Sequence, residues 1–354
     1  MTNFADPLLR ALAPYVPGEQ PRLKGVVKLN TNESPYPPAP GVLKAVQAAV
    51  EGMNRYPDLT AGLFLQQLSK ETGVPQNLLM AVNGSDEALD FIFTAFAWRG
   101  VAFADETYGF YPVYAARRGI VPTIVPLRED FTLAVEDYDG YEGTVFIANP
   151  NAPTGLALAV SQIRGLLKRN PQMLLVVDEA YVDFGGESCL PLLQEFDNLL
   201  VVGTFSKSRQ LAGTRIGWVA GCKELMDVLQ TVRSSFNPYN VNSMSIAAGA
   251  AALQDKEYFI TCRNAVVATR EQTITRLRAL GFTVTQSLAN FVFASHLSFK
   301  ADYLAQELKE QKILVRHFNR PRIQNWLRIS VGSDDEMETL FAALRQIIKP
   351  GIQA

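Results

Sequence analysis

Several short stretches of the chain hold residues that can do chemistry, and each lies beside a run of apolar residues. Asp178 opens Asp178-Glu179-Ala180-Tyr181, directly after Leu174-Leu175-Val176-Val177. A carboxylate at the end of so apolar a strand is expected to be buried, and a buried carboxylate needs a partner. A protonated ring nitrogen would serve, and that pairing makes a pyridine ring an electron sink. Tyr181, three residues on, can reach the oxygen on the same ring. Lys207 sits in Thr204-Phe205-Ser206-Lys207-Ser208, just past the apolar run from Leu199. Partial desolvation there lowers an amine's pKa and frees it to attack a carbonyl.

Other stretches suit anions. Gly84-Ser85-Asp86-Glu87 follows Leu78 to Val82 and opens a helical pattern. Free N–H groups and the positive dipole end make such a place a phosphate site. Ser206 can add a hydroxyl, and Arg215, between Gly213 and Gly217, suits a planar bidentate anion contact. Arg328 is embedded in the apolar run Trp326 to Gly332, where it is costly without an anionic partner. Asn149-Pro150-Asn151-Ala152-Pro153-Thr154-Gly155 reads as a rigid turn, and Tyr108 offers an aromatic face. Each stretch has an ordinary reading alone: a helix cap, a strand-ending turn, a surface lysine. In this order they supply every part of a pyridoxal phosphate site.

The elements that must position them alternate. Apolar runs at Leu78 to Val82, Val101 to Ala104, Thr144 to Ala148, Leu174 to Val177, Leu199 to Val202 and Ile216 to Ala220 alternate with helical patterns. This predicts a mainly parallel sheet covered on both faces, joined by right-handed crossovers, with ligands at its strand ends. After about Asn240 come helical patterns at Ser245 to Leu253 and Lys256 to Leu280. Short strands follow at Phe282 to Val284, Phe291 to Ala294, Ile313 to Val315 and Leu327 to Val331, then a helix from Asp335 to Ile348. The expected class is α/β. Residues 1–40, rich in proline (Pro7, Pro14, Pro17, Pro21, Pro35, Pro37, Pro38, Pro40), form an arm on the small domain or a partner subunit. Residues 41–240 form a large domain and 241–354 a small α+β domain.

Composition excludes several classes. The 354 residues are 48% hydrophobic and 19% charged, which predicts a folded chain larger than one ordinary core. A net charge of -2 leaves no broad basic footprint for nucleic acid or anionic membrane. The 3 Cys are scattered and only 2 His occur, so neither a disulfide framework nor a zinc site is expected. No signal peptide or membrane-spanning run is evident, which points to the cytoplasm. Dinucleotide-binding, P-loop and G-x-S-x-G patterns do not stand out.

From about Tyr15 to Gly332 the chain resembles the fold type I pyridoxal phosphate aminotransferases, and within them the histidinol-phosphate aminotransferase family. The resemblance makes Lys207 the Schiff-base lysine and places Asp178 at the pyridine nitrogen and Tyr181 at the phenolic oxygen. Ser206, Arg215 and the backbone of Gly84, Ser85 and Asp86 would hold the phosphate, and Tyr108 would stack on the ring. Tyr56, in Asn54-Arg55-Tyr56-Pro57-Asp58, would reach the neighbouring subunit's cofactor phosphate, which implies a homodimer. Arg328 would hold the substrate α-carboxylate. Leu29-Asn30-Thr31-Asn32-Glu33 resembles the arm near the substrate, with Asn30 a contact, and Tyr15 and Arg316 would meet a substrate phosphate. One position departs: many relatives carry asparagine where this chain has Ala152, so either Asn151 or Tyr181 alone must serve the phenolic oxygen.

The resemblance implies ping-pong transfer between an amino acid or amino alcohol phosphate, foremost L-histidinol phosphate, and a 2-oxo acid such as 2-oxoglutarate. Aromatic amino-acid transamination, decarboxylation of a phosphorylated amino acid and a non-catalytic scaffold remain alternatives. So does the choice of Arg316, Arg320 or Arg322 as the pocket's arginine.

Overall fold

The computed structural model describes residues 4, 6–10, 12–20 and 25–348. Pro21 of the arm, and the ends of the first and last expected domains, lie outside the described residues. In chain order the first elements are α1 (Pro7–Arg10), β1 (Val27–Leu29), α2 (Pro40–Val50), α3 (Gly62–Thr72), β2 (Leu79–Val82) and α4 (Ser85–Phe96). Then come β3 (Val101–Ala104), α5 (Tyr111–Arg117), β4 (Thr123–Val125), β5 (Thr144–Ala148), α6 (Val160–Arg169) and β6 (Leu174–Asp178). β7 (Leu199–Thr204), β8 (Gly217–Gly221), α7 (Lys223–Phe236), α8 (Ser243–Gln254) and α9 (Lys256–Ala279) follow. The last are β9 (Phe282–Val284), β10 (Phe291–His296), α10 (Ala301–Glu310), β11 (Ile313–His317), β12 (Leu327–Ser330) and α11 (Asp334–Ile347).

A 7-stranded sheet has the order β2-β8-β7-β6-β5-β3-β4. β3 to β7 run parallel, and β8 is antiparallel to both β7 and β2. Successive strand residues point to opposite faces. Val145, Leu175, Val177, Leu199 and Val201 therefore pack with Ile163, Leu166 and Leu167 of α6 and with Phe64 and Leu68 of α3. Phe146, Val176, Leu200 and Val202 pack instead with Leu89, Ile92 and Phe93 of α4, Tyr111 of α5 and Leu229 of α7. With both faces covered, the strands read as unbroken apolar runs.

A 5-stranded sheet has the order β1-β11-β12-β10-β9. β1 comes from the arm and lies parallel to β11, with Val27 opposite Ile313. Ile274 and Leu277 of α9, Leu304 and Leu308 of α10, and Leu340, Phe341 and Leu344 of α11 cover this sheet. One helix beyond the boundary expected at residue 241 packs on the large sheet's side. α8 packs on α2 and α3, and its Ile246, Ala248, Ala252 and Leu253 are buried in the large sheet's core. The small sheet's apolar cluster instead takes Leu29 of β1 and residues from Ile274 of α9 onward. Among the described residues, no helix is long and apolar enough to cross a membrane.

Candidate active site

The parallel strands end their C-terminal edges side by side, and the chemistry-bearing residues gather there. Asp178 closes β6, opposite Ala148 of β5 and Val202 of β7. It is 5% exposed, and burial pushes its carboxyl up to about 6, although a hydrogen bond from Tyr111 pulls the other way. Tyr111 Oη donates to Asp178 Oδ2 at 3.1 Å, and the Ala180 N–H donates to Oδ1 at 3.2 Å.

Lys207 follows β7, and its Nζ donates to the Thr31 carbonyl at 3.3 Å. Burial lowers its amine to about 8, helped by the Arg328 charge and opposed by Glu33 and Asp86. The amine lies 5.9 Å from the centre of the Tyr181 ring. Tyr181 Oη accepts a bond of 3.0 Å from Asn32 Nδ2. Asn32 is fixed in turn by Ser330, whose hydroxyl accepts from its N–H at 2.8 Å, and by Asn290, which donates to its carbonyl at 3.0 Å. Sequence reasoning assigned no role to Asn32. Its left-handed φ of 55° leaves no signature in residue type beyond asparagine's tolerance of it.

At the other end, Ser85 and Asp86 begin α4 behind Gly84, whose φ is 80°. A Cβ on Gly84 would lie 2.6 Å from Arg215 Nη2, so glycine is what admits the guanidinium. Arg215 Nη2 meets Asp86 Oδ2 at 2.8 Å, and Nη1 donates to Ser206 Oγ at 3.4 Å. Tyr108 Oη donates to Asp86 Oδ1 at 2.6 Å. Ser85, Asp86, Tyr108, Ala152, Asp178, Tyr181, Ser206, Lys207 and Arg215 all line one cleft.

Not every expected residue joins it. Asn151 Oδ1 accepts from Thr107 Oγ1 at 2.8 Å, while its Nδ2 donates to the Glu106 carbonyl at 2.9 Å and to Thr154 Oγ1 at 3.0 Å. With its amide spent on bracing the loop, Asn151 lines a neighbouring cleft, and Ala152 faces the one with Lys207. Of the two candidates for the phenolic oxygen, Asn151 thus braces its loop, and Tyr181 is the one that lines the Lys207 cleft. Tyr56 is 79% exposed and stacks on Tyr239 at 4.4 Å; it does not line its own chain's cleft. Asn30 is buried, donates to the Glu19 carbonyl at 3.0 Å, and gives its carbonyl to Arg328 Nη2 at 3.1 Å. It lines neither the Lys207 cleft nor the wider opening beyond it.

That opening is lined by Tyr15, Tyr108, Arg316, Arg320 and Arg328. Arg328 Nε has no hydrogen-bond partner among the described residues, and burial works against its charge. Both facts favour an anionic ligand there. Arg316 Nη2 donates to the Val16 carbonyl at 2.8 Å. Arg320 pairs with the buried Glu106 at 2.6 Å. Arg322 is tied to Asp105 and to the Leu127 carbonyl, and does not line the opening. Tyr15 stacks on Phe110 with ring centres 4.3 Å apart.

Residues 24–344 match the family described as aminotransferase class I and II. The chain belongs to this family. Among curated aminotransferases it is 45% identical over 350 residues to histidinol-phosphate aminotransferase 1 of Bradyrhizobium diazoefficiens, covering 98% of this chain and 100% of that one. It is 46% identical over 353 residues to histidinol-phosphate aminotransferase 1 of Bordetella parapertussis, covering 98% and 99%. Among solved aminotransferases it superposes with TM-score 0.88 on the histidinol-phosphate aminotransferase of Sinorhizobium meliloti in complex with pyridoxal-5'-phosphate. That match has 26% identity and covers 99% of this chain and 98% of the other. The fold is that of the fold type I pyridoxal phosphate aminotransferases, and the donor set fits the cofactor. The cleft offers an amine of lowered pKa, a buried carboxylate, and an arginine–serine pair at a helix start opened by glycine.

Proposed function

We propose that this aminotransferase moves the amino group of L-histidinol phosphate to 2-oxoglutarate, giving imidazole acetol phosphate and glutamate. The observation that carries this reading is the pair of arginines, Arg316 and Arg328, in the opening that also holds Tyr15. Arg320 is already neutralised by Glu106, and Arg322 is spent on Asp105. Arg316 and Arg328 have no acidic partner among the described ion pairs, which favours anionic substrates: the phosphate of histidinol phosphate in one half-reaction, and the two carboxylates of glutamate or 2-oxoglutarate in the other.

Pyridoxal phosphate supplies the electron sink for a carbanion at the substrate α-carbon. Asp178 would pair with the ring nitrogen, and Tyr108 would cover the ring. Arg215, Ser206 and the N–H groups behind Gly84 would hold the cofactor phosphate. Tyr181, itself held by Asn32, would serve the phenolic oxygen. Lys207 would carry the proton taken from the α-carbon; burial lowers its amine to about 8, which brings the neutral, basic form within reach. Arg328 takes the carboxylate of glutamate or 2-oxoglutarate, and Arg316 with Tyr15 takes the distal anion.

The enzyme works as a cytoplasmic homodimer in this reading. Exposed Met53, Tyr56, Leu59, Phe236 and Tyr239 leave apolar surface that a second copy would cover. Tyr56 then reaches the partner's cofactor phosphate. The three cysteines are free thiols, which suits a reducing compartment. Comparing kcat/KM for histidinol phosphate, phenylalanine and tyrosine tests the substrate. A preference for histidinol phosphate that vanishes in Arg316→Ala supports it, and a preference for the aromatic amino acids overturns it.

A further inference from the structure

Tyr108, Tyr111 and Tyr114 recur at every third position and so lie near one another along one side of the start of α5. Their hydroxyls all go to two acidic residues of the cleft. Tyr108 donates to the Asp86 carboxylate, Tyr111 to the Asp178 carboxylate, and Tyr114 to the Asp86 carbonyl at 3.1 Å. The middle one reaches the cofactor's ring end and has no role in the reading above.

We propose that Tyr111 is a positioning residue for the cofactor's ring nitrogen, acting through the Asp178 carboxylate. The proposal rests on the pairing of Asp178 with that nitrogen. Tyr111 is fully buried, and its ring is wedged against Phe103, Tyr108 and Phe146, with centres 5.5 to 5.7 Å away. The ring cannot swing without disturbing that core, so its hydroxyl direction is set by packing. Asp178 is the partner that satisfies the buried hydroxyl. Burial and the Asp178 charge hold the Tyr111 phenol well above its ordinary value, so it stays protonated and donates.

The bond does two things for Asp178. With the Ala180 N–H on Oδ1, it fixes the plane of the carboxylate. It also favours the charged form against burial, which pushes the group up. The other titratable groups that act on Asp178 are Asp86 of α4, Lys207 after β7, and the phenols of Tyr108, Tyr114 and Tyr181. None of these donates a hydrogen bond to Asp178 among the described residues. Loss of the Tyr111 hydroxyl therefore raises the Asp178 pKa further, and a protonated Asp178 is a poor partner for a ring nitrogen that carries a proton.

The test is Tyr111→Phe, which keeps the ring and its packing. The full-length enzyme is titrated with pyridoxal phosphate, and separately with its 1-deaza analogue, which has carbon in place of the ring nitrogen. Visible absorbance gives both dissociation constants as a function of pH. The expected result is about tenfold weaker binding of pyridoxal phosphate, an acid limb moved to higher pH, and unchanged binding of the analogue. Tyr138→Phe is the control, since that buried hydroxyl has no partner among the described residues; both cofactors should bind it as they bind the wild type. Equal weakening of both cofactors by Tyr111→Phe, or no weakening of either, overturns the proposal. Wild-type enzyme that binds both equally well overturns the Asp178 assignment, and the role of Tyr111 with it.

Discussion

Arg316 of β11 stands directly opposite Arg328 of β12 in the antiparallel register of the small sheet. Directly paired residues share a face, and like charges so placed repel. Two guanidinium groups are thus held side by side at an opening with no carboxylate paired to either among the described ion pairs. Their repulsion is relieved when anions bind.

The two arginines should separate by half-reaction. Histidinol phosphate has no carboxylate, whereas glutamate and 2-oxoglutarate do. Arg328→Ala is expected to cost the glutamate half-reaction about 3 kcal/mol, on the order of a hundredfold in kcat/KM. Arg316→Ala should fall more heavily on the phosphorylated substrate. Single-turnover kinetics of each half-reaction, followed by cofactor absorbance, will show whether the losses divide in this way.

Lys207 sets a pH dependence. Its amine is lowered to about 8, so it is mostly protonated below that pH and neutral above it. Only the neutral amine attacks a carbonyl, so the rate at which cofactor-free enzyme captures pyridoxal phosphate should rise with pH and level off above about 8. Lys207→Ala should lose both capture and borohydride-trapped labelling. A flat rate profile would contradict the burial argument.

Gly84→Ala should act on the phosphate alone. The new Cβ would meet Arg215 Nη2 at 2.6 Å, at a φ of 80° that side chains rarely adopt. Displacing the arginine should weaken pyridoxal phosphate by about tenfold or more, and pyridoxal, which lacks the phosphate, far less. Equilibrium titrations with the two compounds make the comparison.

Asn151→Ala should cost stability and leave the cofactor's spectrum intact. Removing the amide strands the Thr107 hydroxyl and the Glu106 carbonyl, at about 1–3 kcal/mol. Chemical denaturation measures the loss. A changed visible spectrum at saturating pyridoxal phosphate would mean that Asn151 reaches the ring after all.

Much of the site was legible because it is built from strand ends. Strands buried on both faces are unbroken apolar runs, so the residue after each run is placed almost by inspection. Asp178, Lys207 and Ser206 follow β6 and β7 in this way, and the structure brings them to one cleft. What could not be read depends on side-chain direction or on distant packing. Asn151 sits in the anticipated turn, but its amide points to Thr107. Asn32 and Tyr111 act through partners far away in sequence, namely Tyr181 and Asp178. α1, α2, α3, α7 and α10, and the strands β1 and β4, were not picked out. β1 and β4 are only 3 residues long, and the helices carry mixed patterns weaker than the buried strands. α8 has buried residues all round, so periodicity could not say which unit it joins.

The pairing of β1 with β11 also bears on how the chain is made. Val27 leaves the ribosome well before its partner Ile313, which lies in the far half of the sequence. At roughly 5–20 residues per second, the first strand waits for many seconds without its neighbour. Thr31 and Asn32, which hold Lys207 and Tyr181, lie just beyond that strand. The large sheet can condense during synthesis, but the strand that leads to Thr31 is paired only once Ile313 has been made. Competence for chemistry thus waits on a segment that carries none of the cofactor's ligands.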